Sequence, residues 1–186
     1  QLGTALQSLL KDKAVYIDRD ELDLTNEEDV RDFLTSNPFD CVINCAAYTA
    51  VDKAETDEEN AHKVNALAPL YLAKYSKCLI HVSTDYVFDG TNHKPYTEED
   101  ETNPVSVYGR TKREGELNVL NNAKTGIVIR TAWLYSPHGG NFVKNILSYF
   151  TIMALVVLLF SGAWRKHVLP IAVLCGYLVL QQMLTT

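Results

Sequence analysis

The sequence predicts an α/β fold: a Rossmann-like, doubly wound parallel sheet that is incomplete and is followed by two hydrophobic helices. Stretches with apolar residues at helical spacing alternate with short apolar runs through most of the chain. These runs are continuously apolar, which is typical of parallel strands that helices cover on both faces. From Tyr149 to the end, the only charged residues are Arg165 and Lys166.

The elements can be predicted in chain order. Helices are predicted where apolar residues recur at helical spacing, at residues 2–10, 25–36, 58–76 and 108–120. Strands are predicted at the apolar runs, at residues 14–17, 41–45, 79–83 and 127–130. The glycine, asparagine and proline residues between positions 89 and 104 indicate a surface loop, where chemistry is often found.

Charge divides the chain into a polar domain, residues 1–148, and a hydrophobic tail, residues 149–186. Two uncharged stretches, 146–164 and 168–186, approach the ~20 residues that cross a bilayer and are candidate transmembrane helices. We expect at least one to insert, although a fusion, a misjoined reading frame or a truncated gene model explains the tail almost as well. Because the chain lacks an initial methionine and an apolar leader, we expect a fragment or a processed product without a signal peptide.

Composition argues against several functions. The net charge is -6 and no stripe of lysine or arginine is present, so nucleic acid is a poor candidate partner. The four cysteines form no CxxC pair and no cluster at metal-ligand spacing. We therefore expect no metal site, no disulfide framework and a reducing, cytoplasmic environment for the polar domain.

Polar side chains follow the ends of several predicted strands. Tyr108 and Lys112 lie one helical turn apart, where an ammonium group favours phenolate over phenol, although such a pair is common on ordinary helices. Thr84 and Asp85 directly follow a strand and could either contact a ligand or cap a turn. Asp18 follows another strand, where a carboxylate can bind a cofactor ribose or simply be solvated.

Four blocks in this order together resemble the dTDP-4-dehydrorhamnose reductase family of extended short-chain dehydrogenases. The first block runs from Asn44 to Glu55 and the second from Ser83 to Gly90. The third is Tyr108-Gly109-Arg110-Thr111-Lys112 and the fourth runs from Arg130 to Tyr135. The order and spacing of the blocks are far more specific than any one of them, and the resemblance covers roughly residues 1–148.

The resemblance implies a role for each matching residue. Tyr108 would protonate the C4 oxygen of the sugar, Thr84 would hydrogen-bond that oxygen, and Lys112 would hold the nicotinamide ribose and lower the tyrosine pKa. Asp85 and Trp133 would contact the dTDP-sugar. The implied cofactor-binding residues are Gly3, Asp18, Asp23, Leu24, Ala47, Tyr48, Thr49, Val82, Tyr108 and Lys112.

The implied activity is the NAD(P)H-dependent reduction of dTDP-4-dehydro-6-deoxy-L-mannose to dTDP-L-rhamnose, a precursor of cell-surface polysaccharide. NADPH or NADH would be the cofactor, and the carboxylate of Asp18 favours NADH because it repels a 2′-phosphate. Two alternatives remain open: a non-catalytic nucleotide-binding or regulatory module, and a membrane-anchored interaction protein. The resemblance also allows a homodimer.

Overall fold

A computed structural model describes residues 1–136 and 138–160, with side chains up to residue 153, and divides the chain into two compact units. One unit is Asp12–Ala132, and the other combines Gln1–Lys11 with the chain from Trp133 onward. The helices are α1 (Leu2–Leu10), α2 (Glu27–Ser36), α3 (Val51–Ala54), α4 (Glu58–His62), α5 (Ala68–Tyr75), α6 (Val107–Asn122) and α7 (Phe142–Phe160). The strands are β1 (Val42–Asn44), β2 (Leu79–Thr84) and β3 (Gly126–Thr131).

The unit Asp12–Ala132 contains a parallel sheet in the order β1-β2-β3. Val42 pairs with Leu79, and Leu79 in turn pairs with Gly126. Thr84 pairs with Thr131 at the other end of β2, so polar residues stand at the carboxyl ends of the strands. The predicted α/β class with parallel strands is confirmed.

Helices pack on one face of this sheet. A core cluster joins α2, α5, β2 and α6 through Val30, Leu34, Leu72, Ala73, Leu79 and Val119. On the other face, Ile43, Ile127 and Ile129 remain 40%, 47% and 46% exposed, so the predicted cover on both faces is only half present here. The strands follow one another in the order β1-β2-β3, so each crossover moves in the same direction across the sheet. Right-handed crossovers in one direction place their helices on the same face, which leaves the other face uncovered by them.

Most of the predicted elements form, with small changes at their ends. The helix predicted over 58–76 is α4 and α5 joined by a π-helical turn, Lys63–Leu67. A 3₁₀ turn, Asp85–Val87, extends β2 toward the loop. The strand predicted at 14–17 is wrong: this segment is irregular, and Val15 and Ile17 are 64% and 41% exposed. A strand needs a hydrogen-bonding neighbour, and the three-stranded sheet does not include this segment.

In the other unit, α1 forms as predicted but buries none of its residues. The rings of Trp133 and Phe142 meet edge to face with centroids 4.8 Å apart, and Gln1 donates a side-chain hydrogen bond to the Gly140 carbonyl. The predicted boundary at residue 148 lies within α7.

None of the helices in residues 1–136 and 138–160 is long and apolar enough to cross a membrane. The second candidate span, 168–186, and the end of the first, 146–164, lie outside the described residues.

Candidate active site

Thr84, Asp85 and Tyr108 come together where β2 ends and α6 begins. The Thr84 hydroxyl donates to the Asp85 carboxylate over 3.1 Å and accepts from the Tyr86 amide over 3.2 Å. The side chains of Tyr108 and Thr84 are near enough for the Thr84 hydroxyl to act on the pKa of the phenol, and the Tyr108 ring packs edge to face against Tyr86 with centroids 5.5 Å apart. Thr84 and Tyr108 are buried whereas Asp85 is exposed, so the carboxylate lies at the surface beside two buried hydroxyl-bearing residues.

Lys112 lies one turn further along α6 and is almost completely buried. Its Nζ donates to the Val82 carbonyl over 2.7 Å, which joins two of the predicted cofactor-binding residues. Burial lowers the pKa of Lys112 to about 8, partly offset by the nearby Glu116 carboxylate. A buried amine with such a pKa can carry or release a proton near neutral pH.

The expected lowering of the Tyr108 pKa is wrong. Burial raises the pKa of this phenol because phenolate is costly in a dry environment, and the negative charge of Asp85 adds to the rise. The nearby Thr84 hydroxyl lowers the pKa of the phenol, but burial outweighs it. Lys112 directs its Nζ at the Val82 carbonyl. Tyr108 is therefore held as a phenol, a proton donor, through the neutral pH range.

A buried asparagine that the sequence analysis missed ties the loop after β1 to α6. The Asn65 carboxamide accepts from the Tyr48 amide over 2.9 Å and donates to the Tyr48 carbonyl over 3.1 Å. The same amide group donates to the Thr111 hydroxyl over 3.2 Å. Because Thr111 directly precedes Lys112, this network fixes the Ala47–Thr49 segment relative to the lysine.

Two more buried polar residues were missed. Glu116 is fully buried on α6 and receives two hydrogen bonds from Arg130, over 2.9 and 2.8 Å, and one from Arg113 over 2.8 Å. His81 is also fully buried, on β2, between Asn44 and Lys112. One signal for Glu116 was available, since it follows Lys112 by four residues and hence shares its helix face.

The other predicted cofactor residues have local contacts. The Asp18 carboxylate accepts from the Arg19 amide over 2.7 Å, and that of Asp23 accepts from both the amide and the hydroxyl of Thr25. Leu24 packs against the core cluster, as a structural residue would. Gly3, on α1, and Trp133 belong to the other compact unit.

The residues present suit a nicotinamide cofactor. Lys112 keeps N–H donors beyond the one that it gives to Val82, as a sugar hydroxyl would need. Ala46 and Ala47 follow β1 with side chains too small to block approach to the backbone. When bound, such a cofactor supplies a hydride.

Gly109 sets the distance between α6 and the end of β2. An added Cβ would lie inside contact distance of the Tyr86 carbonyl oxygen and 3.0 Å from the Pro104 Cβ. We expect Gly109→Ala to lower the free energy of unfolding by about 1–3 kcal/mol despite the better helix propensity of alanine, because the clash is with backbone.

Urea unfolding followed by circular dichroism measures this effect. Gly140→Ala is the matched control, since a Cβ at Gly140 meets open space. A Gly109→Ala chain as stable as the parent would show that α6 can move away from Tyr86 at no cost.

Comparison with known proteins identifies the family. Residues 1–153 match the family model of the RmlD substrate binding domain. The chain is 41% identical over 155 residues to dTDP-4-dehydrorhamnose reductase of Aggregatibacter actinomycetemcomitans, which covers 79% of this chain and 53% of that protein. The chain therefore spans about half the length of such relatives.

Solved structures agree. A dTDP-4-dehydrorhamnose reductase from Clostridium acetobutylicum is 42% identical with a TM-score of 0.78, over 82% of this chain and 56% of that one. The enzyme from Bacillus anthracis, solved in complex with NADP, is 34% identical with a TM-score of 0.77, over 82% and 57%. The chain belongs to the RmlD substrate-binding-domain family, to which the sequence motifs around Thr84, Tyr108 and Lys112 had pointed.

Proposed function

We propose that this chain carries the reducing centre of a dTDP-4-dehydrorhamnose reductase. The observation that carries the proposal is the packing of Tyr108 against Tyr86, whose amide binds the Thr84 hydroxyl, one helical turn before the buried Lys112. A hydroxyl pair at the carboxyl end of a parallel sheet is suited to hold a ketone oxygen. The substrate class is that of the Aggregatibacter relative, the 4-keto sugar of a dTDP conjugate.

Each residue has a chemical task in this proposal. Tyr108, kept as a phenol by burial, donates its proton to the C4 oxygen as that oxygen gains charge. Thr84 hydrogen-bonds the same oxygen and fixes the direction of proton transfer. Lys112 binds a ribose hydroxyl of the cofactor through an N–H group that is not used in its hydrogen bond to the Val82 carbonyl. Asp85, exposed beside Thr84, is available to the sugar nucleotide.

NADPH is the first cofactor to test, because the Bacillus anthracis relative was solved with NADP. The carboxylate of Asp18 would favour NADH if it bound the cofactor ribose. It accepts a hydrogen bond from the Arg19 amide, as an ordinary turn residue without a cofactor role does. We therefore propose NADPH over NADH.

A cofactor titration tests the proposal. Nicotinamide fluorescence is followed while the chain, in mild detergent, receives NADPH and then NADH. We expect saturable binding that Lys112→Ala weakens at least tenfold, because a buried donor to the cofactor is lost. Lys74→Ala, which removes a half-exposed ion pair with Glu27 and a cation–π contact with Tyr71, should leave binding unchanged.

Formation of dTDP-rhamnose from the 4-keto sugar then tests turnover. Binding without product would favour the alternative of a nucleotide-binding module. No binding by a folded chain would reject the proposed cofactor site.

Membrane attachment through 146–186, a homodimer and a cytoplasmic location for the reductase part remain predictions. Retention in the membrane pellet after alkaline washing would support the first. Sedimentation of the detergent-free chain as twice its 20.9 kDa mass would support the second.

A further inference from the structure

Three buried polar side chains, Asn44, His81 and Lys112, form a line that ends at the proposed cofactor-binding lysine. The Nδ1 atom of His81 lies 3.2 Å from the Asn44 carboxamide nitrogen, and its Nε2 atom lies 3.4 Å from the Lys112 Nζ. Asn44 is 3% exposed, His81 0% and Lys112 1%, so water does not replace these contacts. The line runs from β1 through β2 to α6.

The backbone fixes the direction of the Asn44 amide. Its Oδ1 accepts a hydrogen bond from the Ala46 amide over 3.0 Å, so the NH₂ group must be the end that faces His81. An NH₂ group only donates, and the Nδ1 atom of His81 therefore has to accept. The proton of a neutral ring then lies on Nε2.

The ring is neutral because protonation would leave an imidazolium buried beside a lysine. Burial, and then the charge of Lys112, lowers the pKa of His81 to about 3, with a smaller opposing effect from Glu116. The Nε2–H group therefore points at the Lys112 nitrogen. Such a donor can be accepted by an amine lone pair but only repels an ammonium group.

We propose that His81 is a positioning residue for Lys112. Asn44 holds the ring in the Nε2–H tautomer, and this N–H group, directed at the Lys112 Nζ, favours the uncharged amine of the lysine. Its significance for catalysis rests on the proposed function, since Lys112 would then exchange a proton near neutral pH one turn away from Tyr108. The tautomer itself follows from Asn44 and Ala46 and needs no cofactor.

The charges around this line are few. Glu116, on the same face of α6 as Lys112, favours the ammonium form. The Glu116 carboxylate is already paired with Arg130 from β3 and with Arg113, and these positive charges limit how far it raises the pKa of Lys112. From β1 the neighbour is the uncharged Asn44, and from β2 it is the Val82 carbonyl. His81 is thus the side chain on β2 whose tautomer can shift the equilibrium between the ammonium and amine forms of Lys112.

Nitrogen NMR of the full chain, without cofactor, tests the tautomer. With ¹⁵N-labelled histidine, a long-range ¹H–¹⁵N spectrum distinguishes a protonated Nε2 from a protonated Nδ1, and His81→Gln assigns the signal by its loss. We expect an Nε2–H ring that does not titrate between pH 5 and pH 8, around the ordinary histidine pKa of ~6.5. An Nδ1–H ring, or one that titrates in this range, would overturn the proposal.

The second measurement follows the ε-carbon of Lys112 in ¹³C-lysine chains as pH is raised. We expect a midpoint near the pKa of about 8 in the parent and a higher midpoint in His81→Gln, because the glutamine oxygen can accept from the ammonium group. His62→Gln is the control: it removes an exposed histidine bound to Glu114 and should leave the Lys112 midpoint in place. An unchanged or lowered midpoint in His81→Gln would refute the role of His81, whether or not the chain turns over.

Discussion

Replacing Tyr108 with phenylalanine is expected to slow reduction of the 4-keto sugar about 10²- to 10⁴-fold, the usual contribution of a positioned general acid. Phenylalanine keeps the ring contact with Tyr86 and removes the oxygen that donates the proton. Cofactor binding should stay within about twofold of the parent, since Lys112 and its bond to Val82 remain.

Loss of NADPH absorbance under single-turnover conditions measures this effect. Tyr75→Phe is the matched control because it removes the same atom from α5, where the hydroxyl binds Glu27. A Tyr108→Phe chain with parental turnover would mean that water or another group supplies the proton. Because burial raises the pKa of Tyr108, the parental rate should not fall through loss of this proton until pH exceeds the ordinary phenol range near 10.

Sequence periodicity predicts best those helices and strands whose apolar residues are buried against neighbouring elements. Helix α6 and strand β2 form close to the predicted residues because each buries its apolar residues in the core cluster. The run at 14–17 has the same local pattern as β2, yet it stays irregular and exposed. Local pattern specifies strand preference, whereas a strand also requires an edge to pair with, and that is a tertiary property.

The same distinction applies to the site. The resemblance implied that Tyr108 and Thr84 approach the same substrate oxygen, and the position of Thr84 at the carboxyl end of a parallel strand is where ligands bind in such folds. His81 and Lys112 are 31 residues apart, and Asn65 and Thr111 are 46 apart. Nothing in local spacing predicts such pairs. A polar residue such as His81 inside an apolar strand indicates only that a buried partner must exist.

The raised pKa of Tyr108 has a similar origin. The resemblance, together with the Tyr-x-x-x-Lys spacing, predicts that the ammonium group stabilises phenolate. In the fold, the Lys112 Nζ donates to the Val82 carbonyl, and burial becomes the largest effect on the pKa of the phenol. Desolvation cannot be obtained from spacing, because it depends on every residue that excludes water.

Glu116→Ala is expected to lower the free energy of unfolding by about 3–5 kcal/mol, as for other buried ion pairs that lose one member. The fully buried carboxylate holds both the Nε and an Nη atom of Arg130. Without it, the guanidinium group, 22% exposed in its side chain, keeps its charge beside the space that the carboxylate leaves. Stacking of that guanidinium over the Phe88 ring, at 4.9 Å, replaces only a small part of the lost interaction.

Urea unfolding at pH 7 measures the loss. Glu114→Ala is the control, since its exposed pair with His62 should contribute at most about 1 kcal/mol. A small effect of Glu116→Ala would mean that water reaches Arg130 when the carboxylate is removed. A double variant, Glu116→Leu with Arg130→Met, should recover much of the loss because both charges are then removed from the interior.

The pH dependence of stability separates charge from packing. Burial alone would raise the pKa of Glu116, but the hydrogen bonds from Arg130 and the neighbouring charges lower it in the fold. An acid with a lowered folded pKa contributes stability above its unfolded pKa, and that contribution is lost as pH falls through the folded value. The difference in stability between the parent and Glu116→Gln should therefore be largest above the ordinary glutamate pKa of 4.5 and shrink on acidification. A difference that stays constant from pH 7 to below that pKa would mean that Glu116 stabilises the fold by filling space, with its charge contributing nothing.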